Sequence, residues 1–183
     1  QCINVVNTAN KVLGMIRKSF MCKDREIILQ LYKSLVRPHR EYCVQAWRPH
    51  LQKDIDLIEG VQRRATKMTS NLKNKSYEER LSILNLTTLE TRGVRGDLTE
   101  VFKICKGFDN IDPSLFFKFC TAPTRGHTLK LYKPRCHLDI RKFSFAHRVV
   151  DMWNSLDDDI IACNLINGFK NIIDKFLNGQ GFI

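Results

Sequence analysis

Apolar positions in residues 1–70 follow the spacing of helices rather than strands. They recur every three or four positions in three segments: residues 3–20, the stretch from Asp24 past Pro38 to Pro49, and residues 51–68. This spacing predicts amphipathic helices with one buried face. Asp24 is placed to cap the second helix, and Pro38 to end or kink it. Three such helices with short joints predict a small bundle.

Two capping motifs mark helix starts in residues 71–106. The sequences SYEE (76–79) and TTLE (87–90) both fit the S/T-x-x-E capping box, in which a hydroxyl and a carboxylate satisfy free N–H groups of the first turn. The first motif predicts a short helix to Leu84. The second predicts a longer helix that ends before Gly107, which is placed as its C-cap. We therefore expect this segment to consist of connecting helices.

Two further patterns occur in residues 107–141. Asp112-Pro113 combines an N-cap residue with a proline suited to the first helical position, and so predicts a short helix through Phe119. Apolar residues then alternate with polar ones over residues 127–141. This alternation predicts a small β-hairpin that turns at Lys133-Pro134-Arg135.

Helical spacing returns over residues 142–156 and 165–177. Residues 107–183 are therefore predicted to form a C-terminal extension with the hairpin and two helices. Trp47 and Trp153 fall in line with apolar stripes, so we interpret both as core anchors. The predicted fold class is mainly α, with an N-terminal three-helix bundle, further helices and one small β-hairpin.

The charge balance bears on possible partners, because the chain is strongly basic. Thirty Lys and Arg residues face nineteen Asp and Glu residues, for a net charge of +11. The surplus is greatest in residues 1–70 and 107–150, whereas residues 151–183 are net acidic. Such a surplus favours an anionic partner such as nucleic acid or a membrane surface. A basic protein without a polyanionic partner is the alternative.

Basic residues lie together on predicted faces. At about 100° per residue, the first set, on the helix predicted over residues 51–68, lies opposite the apolar residues Ile58 and Ala65. A second set shares one side of the helix that ends before Gly107. A third set occupies the polar side of the predicted hairpin. Each face is either solvated or in contact with phosphates, and three faces in one chain favour the phosphate contact. The candidate nucleic-acid-binding residues are Lys53, Arg63, Arg64, Lys67, Arg92, Arg95, Lys103, Lys106, Lys130, Arg135 and Arg141.

The sequence offers little support for a metal or catalytic centre. Cys120, His127, Cys136 and His137 form the one Cys/His cluster, but zinc ligands usually come in pairs two to four residues apart. Core cysteines and surface histidines are the simpler interpretation. The run Asp157–Asp159 fits a turn or a helix N-terminus better than a two-metal site. Neither GxSxG, GxxxxGK[ST] nor GxGxxG occurs.

Cysteine usage and hydropathy bear on the compartment. The seven cysteines include no CxxC pair, which favours reduced thiols inside the cell, in nucleus or cytoplasm. No apolar run approaches the roughly 20 residues of a membrane span, and no signal-peptide pattern is present. The chain begins with Gln rather than Met, so we expect it to be a fragment.

Four segments resemble the C-terminal part of reverse transcriptases of non-LTR, LINE-type retrotransposons, with the jockey-like group most similar. They are LYKSLVRPHREYCVQAWRPH (31–50), DIDLIEGVQRRATKM (54–68), SYEERLSILNLTTLETR (76–92) and RGHTLKLYKPRCHLDIRKFSFAHRVVDMWNSL (125–156). The resemblance covers nearly the whole chain. Its R-P-x-x-E-Y and E-x-V-Q-R-R-A-T-K elements are specific when taken together.

The resemblance implies that residues 1–70 correspond to the polymerase thumb, a helical bundle that packs on the template–primer duplex. It implies an RNA–DNA or DNA duplex as partner, together with upstream palm, fingers and endonuclease domains. The palm's [FY]-x-D-D motif and its Mg²⁺ are not expected in this chain, so no polymerase activity is expected of the chain alone. The family pattern leads us to expect an apolar residue where Arg40 stands. A helical protein–protein module derived from a degenerate retroelement is the alternative function.

Overall fold

The structure, a computed structural model, describes residues 1–120 and 126–179. The chain divides into two compact units, Gln1–Gly93 and Val94–Ile183, and each unit contains its own cluster of buried apolar residues. The boundary falls inside a long helix rather than at the ends of the predicted connecting segment.

The chain is mainly α-helical, as the hydrophobic spacing predicts. Elements of the first unit are α1 (Cys2–Ser19), α2 (Arg25–Leu31), a π-helical turn (Tyr32–Val36), α3 (Pro38–Glu41), α4 (Val44–Trp47), α5 (Gln52–Lys67) and α6 (Tyr77–Leu84), and α7 (Leu89–Cys105) begins there. Among the described residues, no helix is both long and apolar enough to cross a lipid bilayer.

The second predicted helix is divided into three pieces. Arg37 N donates to Tyr32 O at 2.9 Å, the wider spacing of a π turn, and Pro38 then occupies the first position of α3. The widening has a physical reason, because the ring of Pro38 would clash with the carbonyl four residues earlier in a regular α-helix, and proline has no N–H to donate to it. Asp24 precedes α2 as predicted, but among the described residues its side chain accepts no capping hydrogen bond.

The core of the first unit is built on the stripes predicted for α1 and α5. Ala9 on α1 and Val61 on α5 are fully buried, together with Val36 from the π turn. Trp47 packs against this core while remaining partly exposed, and its Nε1 donates to Tyr42 O at 2.8 Å. The tryptophan therefore anchors α4, as the apolar spacing predicts.

The first predicted capping box is confirmed. Ser76 Oγ accepts from Glu79 N at 3.2 Å, and Glu79 Oε2 accepts from Ser76 N at 2.8 Å. The second box is wrong by one residue, since Thr88 Oγ1 accepts from Thr91 N at 3.2 Å in place of a Thr87–Glu90 box.

Contacts with α5 account for this shift. Gln62 Nε2 donates to Thr87 O at 2.9 Å, and Leu89 N donates to Glu59 Oε2 at 3.0 Å. These bonds hold the chain just before α7 against α5, so the helix begins at Leu89. Tertiary contacts thus override the local capping signal.

The predicted C-cap of α7 is confirmed. Gly107 has a φ of 73°, a left-handed conformation that costs little only for glycine. Phe108 N donates to Lys103 O at 2.9 Å and Gly107 N to Ile104 O at 3.3 Å, which is the Schellman pattern.

The second unit contains short helices and a two-stranded sheet. After α7 come a 3₁₀ turn (Pro113–Leu115), β1 (Lys118–Phe119), β2 (Leu131–Tyr132), α8 (Asp139–Lys142), α9 (Phe145–Arg148), α10 (Val150–Asn154), α11 (Asp158–Ile161) and α12 (Ile166–Gly179). Asp112 accepts from Ser114 N at 2.9 Å, as an N-cap should. The helix predicted through Phe119 is wrong, because the turn ends at Leu115 and β1 follows.

The hairpin predicted within residues 127–141 is also wrong in its pairing. β2 pairs antiparallel with β1, with Phe119 opposite Leu131. The other edge of Leu131 is occupied by a side chain, since Asn154 Oδ1 accepts from Leu131 N at 2.9 Å and Asn154 Nδ2 donates to Leu131 O at 2.8 Å. No edge of β2 is left for the predicted second strand, and residues 139–142 form α8 instead.

The core of the second unit is aromatic. Trp153, Phe102 and Phe169 are fully buried, and the two phenylalanine rings stack with centroids 4.1 Å apart. Trp153 Nε1 donates to Leu129 O at 2.8 Å, which confirms its predicted role as an anchor. Asp157 lies at the N-cap of α11, so the aspartate run begins a helix as expected.

Candidate nucleic-acid interface

The first candidate site is the basic face of α5, which comprises Lys53, Arg63, Arg64 and Lys67. All four side chains are exposed, whereas Ile58, Val61 and Ala65 are buried. Among the described residues, none of these four cations forms an ion pair with a carboxylate. The helix therefore presents the predicted cations to solvent without local neutralisation.

Two arginines on this face are held in place by neighbours. The Arg63 guanidinium lies 4.9 Å from the ring centroid of Tyr77, and Arg64 Nε donates to Asn10 Oδ1 on α1 at 3.1 Å. Buried Arg80 braces the backbone beneath them, because its Nη1 donates to Arg63 O at 2.9 Å and to Thr66 Oγ1 at 3.0 Å. Such contacts reduce the side-chain entropy that a ligand must overcome.

A buried polar cluster fixes the rotation of α5 about its axis. Gln62 is fully buried, where Tyr32 Oη donates to its Oε1 at 2.7 Å and its Nε2 donates to Tyr77 Oη at 3.0 Å. Tyr77 also donates to Glu59. Burial raises the pKa of Tyr32 to about 12, so this phenol stays protonated as a donor. Sequence reasoning missed the cluster because Tyr32 and Tyr77 lie on elements other than α5.

A groove runs beside this face between α1 and the end of α5, and we call it the α1–α5 groove. It has a volume of about 780 Å³. Its lining residues are Asn10, Leu13, Gly14, Arg17, Lys23, Arg64, Lys67, Met68, Thr69, Ser70, Asn71 and Lys73. Three of its cations, Arg17, Lys23 and Lys73, were not among the predicted site residues, since they lie on different segments and share no helical face.

The second basic set, on α7, has a different environment. Arg92 Nε lies 2.7 Å from Glu41 Oε1, and Arg95 Nε lies 2.5 Å from Asp174 Oδ1. Lys103 Nζ lies 3.2 Å from Glu100 Oε2. Lys106, the remaining member, directly follows the last residue of α7 and is half-buried. A phosphate would have to compete with carboxylates for most of this set.

The third basic set does not share a hairpin face. Arg135 and Arg141 are exposed, and Lys130 is half-buried. Arg141 belongs to α8, whereas Lys130 immediately precedes β2. The predicted common surface therefore has no structural basis in the hairpin.

The residues of the predicted Cys/His cluster have different neighbours in the structure. His127 is buried, contrary to the expected surface position, with its Nε2 3.0 Å from Trp153 O. Cys136 Sγ lies 2.7 Å from Nε2 of buried His147, and His137 is exposed. Within residues 1–120 and 126–179, no group of three or more His, Cys, Asp or Glu side chains is placed to hold a metal ion.

Comparisons of the chain with protein-family models, with curated proteins and with solved structures gave no match. The residues themselves therefore carry the functional argument.

Proposed function

We propose that this chain is a non-catalytic, nucleic-acid-binding part of a non-LTR retrotransposon reverse transcriptase, and that the basic face of α5 grips the backbone of an RNA–DNA or DNA duplex. The observation that supports this proposal is the exposure of four cations on one side of a helix, without a carboxylate partner among the described residues. The sequence resemblance to a polymerase thumb agrees with it.

The physical basis of the grip is the release of counterions from phosphates. Each neutralised phosphate contributes about 0.9 to the slope of log affinity against log salt on duplex DNA. Contacts to phosphates carry no direct sequence information, so binding through this face is largely independent of sequence. The face fits the task of holding a duplex whose sequence changes as synthesis proceeds.

The test reverses two charges on this face. We expect Arg63→Glu with Arg64→Glu to weaken binding to a blunt duplex at least about tenfold and to reduce the salt slope by about 2. Fluorescence anisotropy across a salt series measures both quantities. Lys11→Glu with Lys18→Glu makes the same change in net charge on exposed positions of α1 and serves as the control. Equal affinity and slope in both double variants would contradict the proposal.

The chemistry of DNA synthesis is assigned to other parts of the proposed polymerase. The paired aspartates and Mg²⁺ belong to the palm in the proposed family, with fingers and an endonuclease as further partners. Nucleus or cytoplasm is the proposed location. Primer extension by this chain alone would overturn the non-catalytic assignment.

A helical protein–protein module is the second candidate, and exposed apolar side chains in the second unit favour it. Leu138 is 69% exposed and Ile140 is 84% exposed, around the start of α8. Single exposed apolar residues are common on soluble proteins, so this observation carries less weight than the α5 face. Absence of duplex binding at low salt would favour the protein-binding alternative.

A further inference from the structure

We propose that the α1–α5 groove binds a single-stranded nucleic-acid segment, such as an unpaired overhang continuing from the duplex on α5. The inference rests on the proposed function, because Arg64 and Lys67 belong to both the groove and the basic face of α5. It adds a second kind of ligand, with its own residues.

The positive charge of the groove indicates that its ligand is a polyanion. Counted over residues 1–120 and 126–179, its lining contains five cations and no aspartate or glutamate. All five are exposed: Arg17, Lys23, Arg64, Lys67 and Lys73. They come from α1, from the segment before α2, from α5 and from the turn after it. Cations converging from several segments onto one concave surface concentrate positive potential there.

The size of the groove favours a single strand over a duplex. A volume of about 780 Å³ lies within the range of about 300–1,000 Å³ that is typical of small-ligand sites. A duplex rests on a surface and cannot enter a space of this size. A flexible single strand can place individual nucleotides inside it.

The floor of the groove supports the same choice. Leu13, Gly14 and the partly buried Met68 provide apolar surface between the cations. A duplex hides its base faces by stacking, whereas a single strand exposes them to apolar side chains and guanidinium planes. Inorganic phosphate would use the cations but leave this floor uncovered.

Hydrogen bonds fix the part of the groove that is formed by Lys23 and residues 70–73. Ser70 N and Ser70 Oγ both donate to Lys23 O, at 2.9 and 2.7 Å. Asn71 adopts a left-handed φ of 64°, and the side chain of Leu72 is buried in the core. The turn that carries Lys73 is therefore tied both to Lys23 and to the core, so little ordering is needed on binding.

Gly14 offers a way to fill the groove without removing a charge. Outside its own stretch of helix, no atom of the described residues lies within 4 Å of the position of a Cβ at Gly14, and Gly14 lines the groove. Because Gly14 lines the groove and has open space at its Cβ position, we expect a larger side chain there to occupy part of the groove. Gly14→Ala is the matched control, since it tests the backbone change with minimal loss of space.

The experiment uses the full chain and three probes: a single strand of about 12 nucleotides, a blunt duplex, and the same duplex with a single-stranded overhang. We expect Gly14→Leu and, separately, Lys23→Glu with Lys73→Glu to weaken single-strand binding about tenfold and to abolish the extra affinity given by the overhang. Gly14→Ala should bind like the unsubstituted chain. Blunt-duplex affinity should change by less than about threefold in Gly14→Leu, because the outer face of α5 is retained.

The outcomes separate the two proposals. Unchanged single-strand affinity in both groove variants would overturn the groove assignment while leaving duplex binding intact. So would equal competition by inorganic phosphate or by an acidic peptide of the same charge. Failure of the duplex proposal is a different result, in which the unsubstituted chain binds the single strand but not the blunt duplex.

Discussion

The basic sets on α5 and α7 look alike in sequence and differ in structure. Each has four cations lying away from an apolar stripe. On α5 they face solvent without carboxylate partners among the described residues, whereas three of the four on α7 lie within 4 Å of a carboxylate. Helical periodicity therefore places a cation on a face, and tertiary neighbours decide whether its charge is available to a ligand.

The partners of the α7 cations are distant in the sequence. Arg92 pairs with Glu41, and Arg95 with Asp174 through two contacts, from Nε at 2.5 Å and from Nη2 at 3.0 Å. A phosphate that takes such a cation must leave the carboxylate without its partner. The net gain is then smaller than for a cation that exchanges only water and counterions. These pairs give the α7 set a structural role that the α5 set does not share.

The most destabilising change that we expect concerns Asp97, a residue of α7 whose carboxylate is buried. Arg148 Nε and Nη2 donate to its two oxygens, each at 2.9 Å, and Asp97 is 2% exposed. We expect Asp97→Ala to lower the free energy of unfolding by about 3–5 kcal/mol, because Arg148 is left largely buried without its carboxylate. Denaturant titration measures the loss.

Two variants check the cause of that loss. Glu90→Ala removes an exposed acid from α7 and should cost less than about 1 kcal/mol. Asp97→Leu combined with Arg148→Met replaces the pair by apolar groups and should recover much of the stability lost in Asp97→Ala. If the double variant is as unstable as the single one, the isolated charge is not the cause.

The next largest effect compares the two basic sets directly. We expect Arg63→Ala with Arg64→Ala to reduce the salt slope of duplex binding by about 2, and Arg92→Ala with Arg95→Ala to reduce it by less than about 1. Both variants remove the same charge, so their difference reports ion pairing. Anisotropy titrations at several salt concentrations give the slopes. Equal slopes would mean that the α7 cations exchange their carboxylates for phosphates freely.

Patterns among neighbouring residues in the sequence were sufficient to predict some elements of the fold but not others. The spacing on α5, the Ser76 capping box and Gly107 depend on neighbours in sequence, and the structure confirms all three. The prediction of the hairpin was wrong because the side chain of Asn154, 23 residues after Leu131, forms hydrogen bonds to the edge of β2 where the predicted strand would pair. Periodicity carries no information about such distant hydrogen-bond partners.

The same limit applies to the candidate site. The α5 face could be predicted because one helix carries it. The α1–α5 groove could not, since Arg17, Lys23 and Lys73 meet only after α1 and the turn beyond α5 come together. The ion pairs of the α7 cations could not be predicted from the sequence either, because Asp174 lies in a different helix from Arg95.

The weakest of the three effects concerns Arg40, an arginine that is buried rather than exposed to solvent. Arg40 is 5% exposed, and its Nε and Nη1 have no hydrogen-bond partner within the part of the chain that the structure describes. Burial lowers the pKa of its guanidinium, which shows that the charged form is poorly solvated there. We expect Arg40→Met to raise the free energy of unfolding by about 1 kcal/mol, because an apolar side chain of similar length needs no partners.

Arg92→Met is the matched control for Arg40→Met, since Arg92 lies in the same unit and has Glu41 as partner. It should lower stability by up to about 1 kcal/mol, opposite in sign to Arg40→Met. Denaturant midpoints at constant slope measure both changes. A loss of stability in Arg40→Met would mean that attraction to nearby Glu59 outweighs the two unsatisfied donors. A gain of stability in Arg40→Met would show that in this fold a cation stabilises through its carboxylate partner. A cation without such a partner then costs little only where it faces water, as on α5.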